Sequence, residues 1–250
     1  MSSTRPASPR APATDPRRAG LLICAHGRDG GPGIAETHAA ALAARGAVAE
    51  ARACCLKGRP TVAEALAALS ADRILLVPLL MEEGYTARTR LPDALDAAGA
   101  AGSRLRVAPP LGTAPELAAL LGARAEAACA ARGWTPAETA LLVVGHGTPR
   151  DPRSGAALDG QVARLTATGA FAHVGAAFLE RPPTVAQAVA ALPAGPCVAV
   201  GFFADAGSHG EADVPRLLAE AAPDAAYAGP VGTDPAITDL ILALARNAPA

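Results

Sequence analysis

Leu141-Leu142-Val143-Val144-Gly145-His146-Gly147 and, 120 residues earlier, Leu21-Leu22-Ile23-Cys24-Ala25-His26-Gly27 decide the fold of this 250-residue chain. Each is a short apolar run without polar alternation, closed by a His-Gly pair. Such a run reads as a strand buried on both faces, which requires helices on either side of a parallel sheet. The correspondence extends outward. Leu56-Lys57-Gly58-Arg59-Pro60-Thr61-Val62 aligns with Leu179-Glu180-Arg181-Pro182-Pro183-Thr184-Val185 at an offset of 123. The same offset pairs Pro78-Leu79-Leu80-Met81-Glu82-Glu83-Gly84 with Gly201-Phe202-Phe203-Ala204-Asp205-Ala206-Gly207, and Leu91-Pro92 with Val214-Pro215. Pro110-Leu111-Gly112-Thr113-Ala114-Pro115 matches Pro230-Val231-Gly232-Thr233-Asp234-Pro235, again 120 residues apart. Ordered blocks at a nearly constant offset mark an internal duplication.

Each unit reads as four strands alternating with four helices. Strands are expected near 20–26, 48–56, 73–80 and 104–108, and again near 140–145, 172–179, 196–203 and 225–228. The fold class is therefore α/β, with two tandem Rossmann-like, parallel-sheet domains over residues 20–135 and 136–250. The opening residues 1–19, rich in Pro, Ser, Ala and Arg, are expected to form a disordered tail. Arg17-Arg18 before a short apolar run is a poor secretion signal, because the run is too short for the hydrophobic region of one.

Composition excludes several function classes. A 51% hydrophobic content is too high for a disordered protein, and a net charge of -1 argues against nucleic acid or an anionic membrane as partner. Alanine abundance and the use of arginine for all basic residues but Lys57 look like coding bias. No apolar run approaches the roughly 18 to 20 residues needed to cross a bilayer. The cysteines, Cys24, Cys54, Cys55, Cys129 and Cys197, are odd in number and form no Cys-x-x-Cys pair. That pattern predicts buried, reduced thiols in a cytoplasmic protein.

In parallel sheets the chemistry gathers at the carboxyl ends of the strands. His146 follows the first strand of the second unit, Glu180 ends its second strand, and His209 follows its third. Two imidazoles and one carboxylate suit a divalent first-row metal. The first unit keeps His26, but Lys57 stands where Glu180 does and Thr86 where His209 does. The second unit is thus the expected working site. Asp213, before Val214-Pro215, is either a helix cap or an outer partner of that site. His38 and His173 read as structural or surface residues, Lys57 as an exposed lysine, and Gly30-Gly31-Pro32-Gly33 as a turn.

The two His-Gly segments, Phe178-Leu179-Glu180 before Pro183-Thr184-Val185, and Gly207-Ser208-His209-Gly210-Glu211-Ala212-Asp213-Val214-Pro215 resemble the small, ATP-independent sirohydrochlorin and cobalt chelatases. The resemblance covers roughly residues 20 to 245 and the two-unit layout. It implies two chelatase-like domains in a monomer with pseudo-two-fold halves, a tetrapyrrole in the cleft between them, and insertion of Fe2+, Co2+ or Ni2+ in siroheme or cobalamin synthesis. It implies no organic cofactor, and it places metal handling on His146, His209 and Glu180. Larger members of that family keep the full histidine pair in the amino-terminal unit, whereas here it stands in the carboxyl-terminal one. The substrate carries several carboxylates, for which Arg28, Arg88, Arg90, Arg150 and Arg153, with His26 and Ser208, are the expected contacts.

Alternative readings are a non-catalytic metal or tetrapyrrole carrier, and a related enzyme acting on another substrate. A phosphohistidine phosphatase is disfavoured because Ala25 and Gly145, not Arg, precede the His-Gly pairs. A serine hydrolase on Ser208 is disfavoured because Ala204-Asp205 separates the motif from its strand.

Overall fold

The computed structural model describes residues 16–28, 30–100, 104–151 and 153–249. Residues 1–15 of the expected tail lie outside the described residues. Pro16–Arg18 form one 3-10 turn, and Ala19 is fully buried.

Two four-stranded parallel sheets repeat one topology. In the first, β1 (Gly20–Ala25), β2 (Glu50–Cys55), β3 (Ile74–Leu79) and β4 (Leu105–Val107) lie in the order β2-β1-β3-β4. In the second, β5 (Ala140–Gly145), β6 (His173–Phe178), β7 (Cys197–Gly201) and β8 (Ala226–Pro230) lie as β6-β5-β7-β8. The central strands β1, β3, β5 and β7 are buried along their whole length, as their continuous apolar sequences require. This is the predicted α/β architecture in both halves.

Helices α1 (Ile34–Ala44), α2 (Val62–Ala67), α3 (Leu91–Ala97) and α4 (Leu117–Arg132) belong to the first unit, and α5 (Ala156–Thr168), α6 (Val185–Ala190), α7 (Val214–Ala221) and α8 (Ile237–Arg246) to the second. None of them is long and apolar enough to cross a membrane. Several repeated motifs are explained by this scaffold. Thr61 with Glu64, and Thr184 with Gln187, form matching capping boxes at α2 and α6, while Val62 and Val185 are buried behind them. Gly112 and Gly232 sit in 3-10 turns where a Cβ would fall 1.9 Å from Met81 O and 2.1 Å from Ala204 O. Only glycine fits there.

The halves are interlocked. Helix α4 packs on β7 and β8 of the second sheet, and α8 packs on β3 and α1 of the first, so each unit lends its last helix to the other. One apolar core accordingly runs from Leu21 and Leu75 through Leu117 and Leu121 to Leu141, Val198 and Ile241. Smaller cores fill the outer faces under α2 and α3, and under α6 and α7.

Reciprocal polar contacts reinforce the exchange. Asp205 Oδ2 accepts from Ile34 N at 3.0 Å, and its counterpart Glu82 accepts from Ala157 N at 3.2 Å, each carboxylate holding the first turn of a helix in the opposite unit. His38 Nε2 donates to Gly232 O at 3.1 Å while Nδ1 accepts from Thr238 Oγ1 at 2.9 Å. Gln161, at the equivalent position of α5, donates to Gly112 O and Ala114 O at 2.8 and 2.9 Å. The five cysteines are free and buried.

Candidate metal-handling site

The loops after β1, β3, β5 and β7 meet between the two units. After β3 and β7 the chain makes a single π-helical turn, Thr86–Arg90 and His209–Asp213, before entering α3 and α7. A proline at the second position of each α-helix, Pro92 and Pro215, lacks the N–H of a regular ladder, so the wider turn forms just ahead of it. His209 is thereby set at the mouth of β7, across from His146 at the end of β5.

The imidazoles of His146 and His209 lie edge to face with centroids 4.8 Å apart. His146 Nδ1 is 2.7 Å from Gly147 O. A carbonyl can only accept, so Nδ1 carries the proton and Nε2 presents its lone pair. That lone pair faces Glu180 Oε1 at 3.4 Å. Lone pair against carboxylate is repulsive until a proton or a metal cation lies between them. With metal–ligand bonds of about 2.0–2.2 Å, two donors at a tetrahedral angle stand about 3.4 Å apart. His209 Nδ1 in turn donates to Asp213 Oδ2 at 2.8 Å, and its Nε2 makes no hydrogen bond among the described residues. In both rings an acceptor fixes the far nitrogen and orients the near one, the arrangement usual for metal-ligating histidines. Asp213 therefore serves as the partner of His209 and makes no capping hydrogen bond to α7.

His146, His209 and Glu180 are thus brought to one corner, but no three His, Cys, Asp or Glu side chains among the described residues form a cage for an ion. What they offer is a two-atom bite with a second imidazole beside it. An open arrangement of this kind would suit a metal that must later be released.

The corner opens into a cleft of about 780 Å³ with walls from both units, including His26, His146, Tyr85, Arg88, Arg150 and Arg153. A second hollow of about 510 Å³ contains Arg28, Ser208 and His209. Several of the expected arginines are already paired: Arg28 with Asp205 and Glu211, Arg88 with Glu83, and Arg153 with Asp151. Arg150 has no acidic partner among the described residues and lines the cleft. Arg90 lies over the Tyr85 ring, 5.6 Å from its centroid, and lines neither hollow. Ser208 makes no hydrogen bond to an imidazole among the described residues, the contact that a serine nucleophile would use.

Two cleft residues escape sequence reading. Glu82 lines the cleft and is largely shielded. Burial raises its pKa above the ordinary carboxylate value, against the opposing effect of backbone N–H groups at the start of α5. Its only sequence signal is the acidic residue at the equivalent position, Asp205. Tyr85, 61% exposed, is the single large apolar side chain among the described residues left open to water, and it faces the cleft.

Comparison with known proteins agrees with this fold and its duplication. The family model CbiX matches the chain twice, over residues 20–128 and 140–248. A probable sirohydrochlorin cobaltochelatase of Halobacterium salinarum is 27% identical, with 91% of each chain covered. The solved structure of CbiX, described as the terminal enzyme for biosynthesis of siroheme in denitrifying bacteria, superimposes with a TM-score of 0.75 at 31% identity, over 92% of this chain and 100% of that one. A multi-domain Deinococcus radiodurans protein with structural similarity to chelatases matches at a TM-score of 0.78 and 27% identity, this chain spanning 54% of it. With the family model matched in both halves and the same fold in its solved member, the chain belongs to the CbiX family.

Proposed function

We propose that the chain is a metal-inserting lyase that places Fe2+ or Co2+, with Ni2+ as a further candidate, into sirohydrochlorin or a close relative, for siroheme or cobalamin synthesis. The observation that carries this reading is the pair of anchored imidazoles: His146 and His209 both have Nδ1 tied to an acceptor, and His146 Nε2 faces Glu180 across a gap of metal-bite width. The names and activities of the matched relatives agree with it.

In this reading the hydrated metal exchanges part of its water shell for His146 Nε2, Glu180 and His209 Nε2. The macrocycle lies in the 780 Å³ cleft, a size within the usual range for small-molecule sites. Insertion forms four metal–nitrogen bonds and releases two pyrrole protons. His146, His209 and Glu180 become free bases as the metal leaves them, so the ligand set that delivers the ion also takes up those protons. Arg150, which lines the cleft and has no acidic partner among the described residues, meets a peripheral carboxylate of the ring.

The test is anaerobic incubation with sirohydrochlorin and each metal, followed by macrocycle absorbance. Expected is insertion well above the protein-free rate, falling at least about 100-fold in His146→Ala and His209→Ala. Insertion no faster than without protein, or unchanged rates in both variants, would refute it. A carrier would bind both partners without turnover.

A further inference from the structure

The two corners of the cleft are chemical opposites at equivalent positions of the repeat. By the repeat, Glu180 corresponds to Lys57, His209 to Thr86 and Asp213 to Arg90. Both units keep the π-helical turn of five residues and, after it, a helix with proline at its second position, so at Thr86/His209 and Arg90/Asp213 the change lies in the side chains. One corner carries two carboxylates and two imidazoles. The other carries an ammonium, a guanidinium, a hydroxyl and one imidazole.

Arg90 stands over the ring of Tyr85 on the cleft wall, 5.6 Å from its centroid, and a Cβ at Gly27, next to His26, would fall 3.1 Å from Lys57 Cβ, so both cations border the His26 corner. Burial, Lys57 and Arg90, in that order, hold the pKa of His26 below the ordinary histidine value. The ring accordingly stays neutral near pH 7, able to donate one hydrogen bond. Lys57 and Arg90 are exposed, and neither has a carboxylate partner among the described residues. This sets them apart from Arg28, Arg88 and Arg153, which have acidic neighbours. A divalent cation placed here would meet two like charges, whereas a carboxylate would meet two cations that have no acidic partner among the described residues, Arg90 resting on the Tyr85 ring, and an N–H donor.

We infer that the His26–Lys57–Arg90 corner is an anion site that holds a peripheral carboxylate of the macrocycle, fixing its orientation in a pseudo-symmetric cleft so that metal is delivered only from the His146 corner. This rests on the chelatase reading above. Thr86 and Tyr85, both on the cleft wall, complete the corner with a hydroxyl and an aromatic face.

The experiment measures binding of metal-free sirohydrochlorin by absorbance titration and of Co2+ by calorimetry, separately and without oxygen, for the full chain and for Lys57→Glu, Lys57→Arg and Arg90→Gln. A charge-assisted contact predicts macrocycle binding weakened about tenfold or more in Lys57→Glu, less in Arg90→Gln, and restored to within about threefold in Lys57→Arg. Raising the salt concentration should erase much of the difference. Co2+ binding should stay within about twofold throughout, which also shows that each variant is folded. In turnover, KM for the macrocycle should rise while KM for the metal does not. Unchanged macrocycle affinity in Lys57→Glu and Arg90→Gln, with wild type binding normally, would overturn this inference alone. Failure of the wild type to bind sirohydrochlorin would overturn the functional reading and this inference with it.

Discussion

Replacing Asp213 by Asn keeps a side chain of the same shape, with an oxygen able to accept from His209 Nδ1, and removes only the charge. The carboxylate oxygen lies 2.8 Å from Nδ1, so a metal on the opposite nitrogen would sit about 6–7 Å from it. The two side chains are 46% and 40% exposed, which puts the effective dielectric near that of water. A divalent ion and a single negative charge at that distance then interact by about 1.3 kcal/mol, close to a tenfold change in metal affinity. Asp213→Ala additionally frees the ring to rotate and should reach about 100-fold, the upper range for outer partners of ligating histidines. Co2+ affinity, measured anaerobically by competition with a chromophoric chelator, and kcat/KM for insertion should fall together. In a His209→Ala background the same Asp213 substitutions should cost nothing further, because the carboxylate acts through the ring. Affinity within twofold of wild type in Asp213→Asn, or an undiminished penalty in the His209→Ala background, would refute the assignment of Asp213 as the positioning partner.

Two further outcomes test the interlock and the divided cleft. His38 is buried, with its pKa lowered chiefly by burial, against smaller raising effects of Gly232 O and Asp205. Its neutral form is the native one. As pH falls below the ordinary value of 6.5, the unfolded chain takes up a proton that the native chain resists, so stability present above that pH is lost on acidification. His38→Gln, copying Gln161 in the other unit, should retain stability at pH 7.5 and flatten the wild-type loss between pH 6.5 and 5. That loss is at most about 1.4 kcal/mol per pH unit for one proton, read from urea denaturation. Equal slopes for both proteins would exclude His38 as the source. The triple substitution Lys57→Glu, Thr86→His and Arg90→Asp rebuilds the second unit's side chains on the first unit's backbone. Co2+ binding should rise from one to two ions per chain in calorimetry, and an unchanged stoichiometry would show that backbone differences, not charge, exclude metal there.

What the sequence reveals is local. The central strands are continuous apolar runs closed by turn signals, so their positions follow within a residue or two, and the repeated Thr-Val and Gly-Thr blocks mark caps and tight turns. The exchanged helices are not legible in the same way. The apolar stripe of α4 says which face is buried, yet a stripe fits either sheet equally well, and only the tertiary structure directs it to β7 and β8. The contacts of His38 with Gly232 and Thr238 span 194 and 200 residues, beyond any spacing rule, so an ordinary structural histidine is the most that reasoning from sequence allows. At the site, strand ends sufficed to bring His146, Glu180 and His209 together. The role of Asp213 was hidden because a carboxylate ahead of a helix reads equally as a cap, and the choice depends on a π-helical turn that placed it on the imidazole instead.

The duplication separates residues that build the backbone from residues that set its chemistry. The capping threonines, the prolines at α3 and α7, the glycines at 112 and 232, and the carboxylates that hold the facing helix recur in both units with the same contacts. Lys57, Glu180 and Arg90 are exposed, His209 is partly so, and none of them lies in an apolar core. Exposed substitutions of that kind usually change stability by no more than about 0.5 kcal/mol. One corner could therefore turn from carboxylate to cation without disturbing the interlocked core. Under the proposed function the asymmetry would have a chemical use. A cleft with two identical corners would hold a metal at each and give an acidic ring no preferred way in. With one corner anionic and the other cationic, a chelatase working as proposed would draw the ion and the ring's carboxylates to opposite ends and present the ring to the metal from one side.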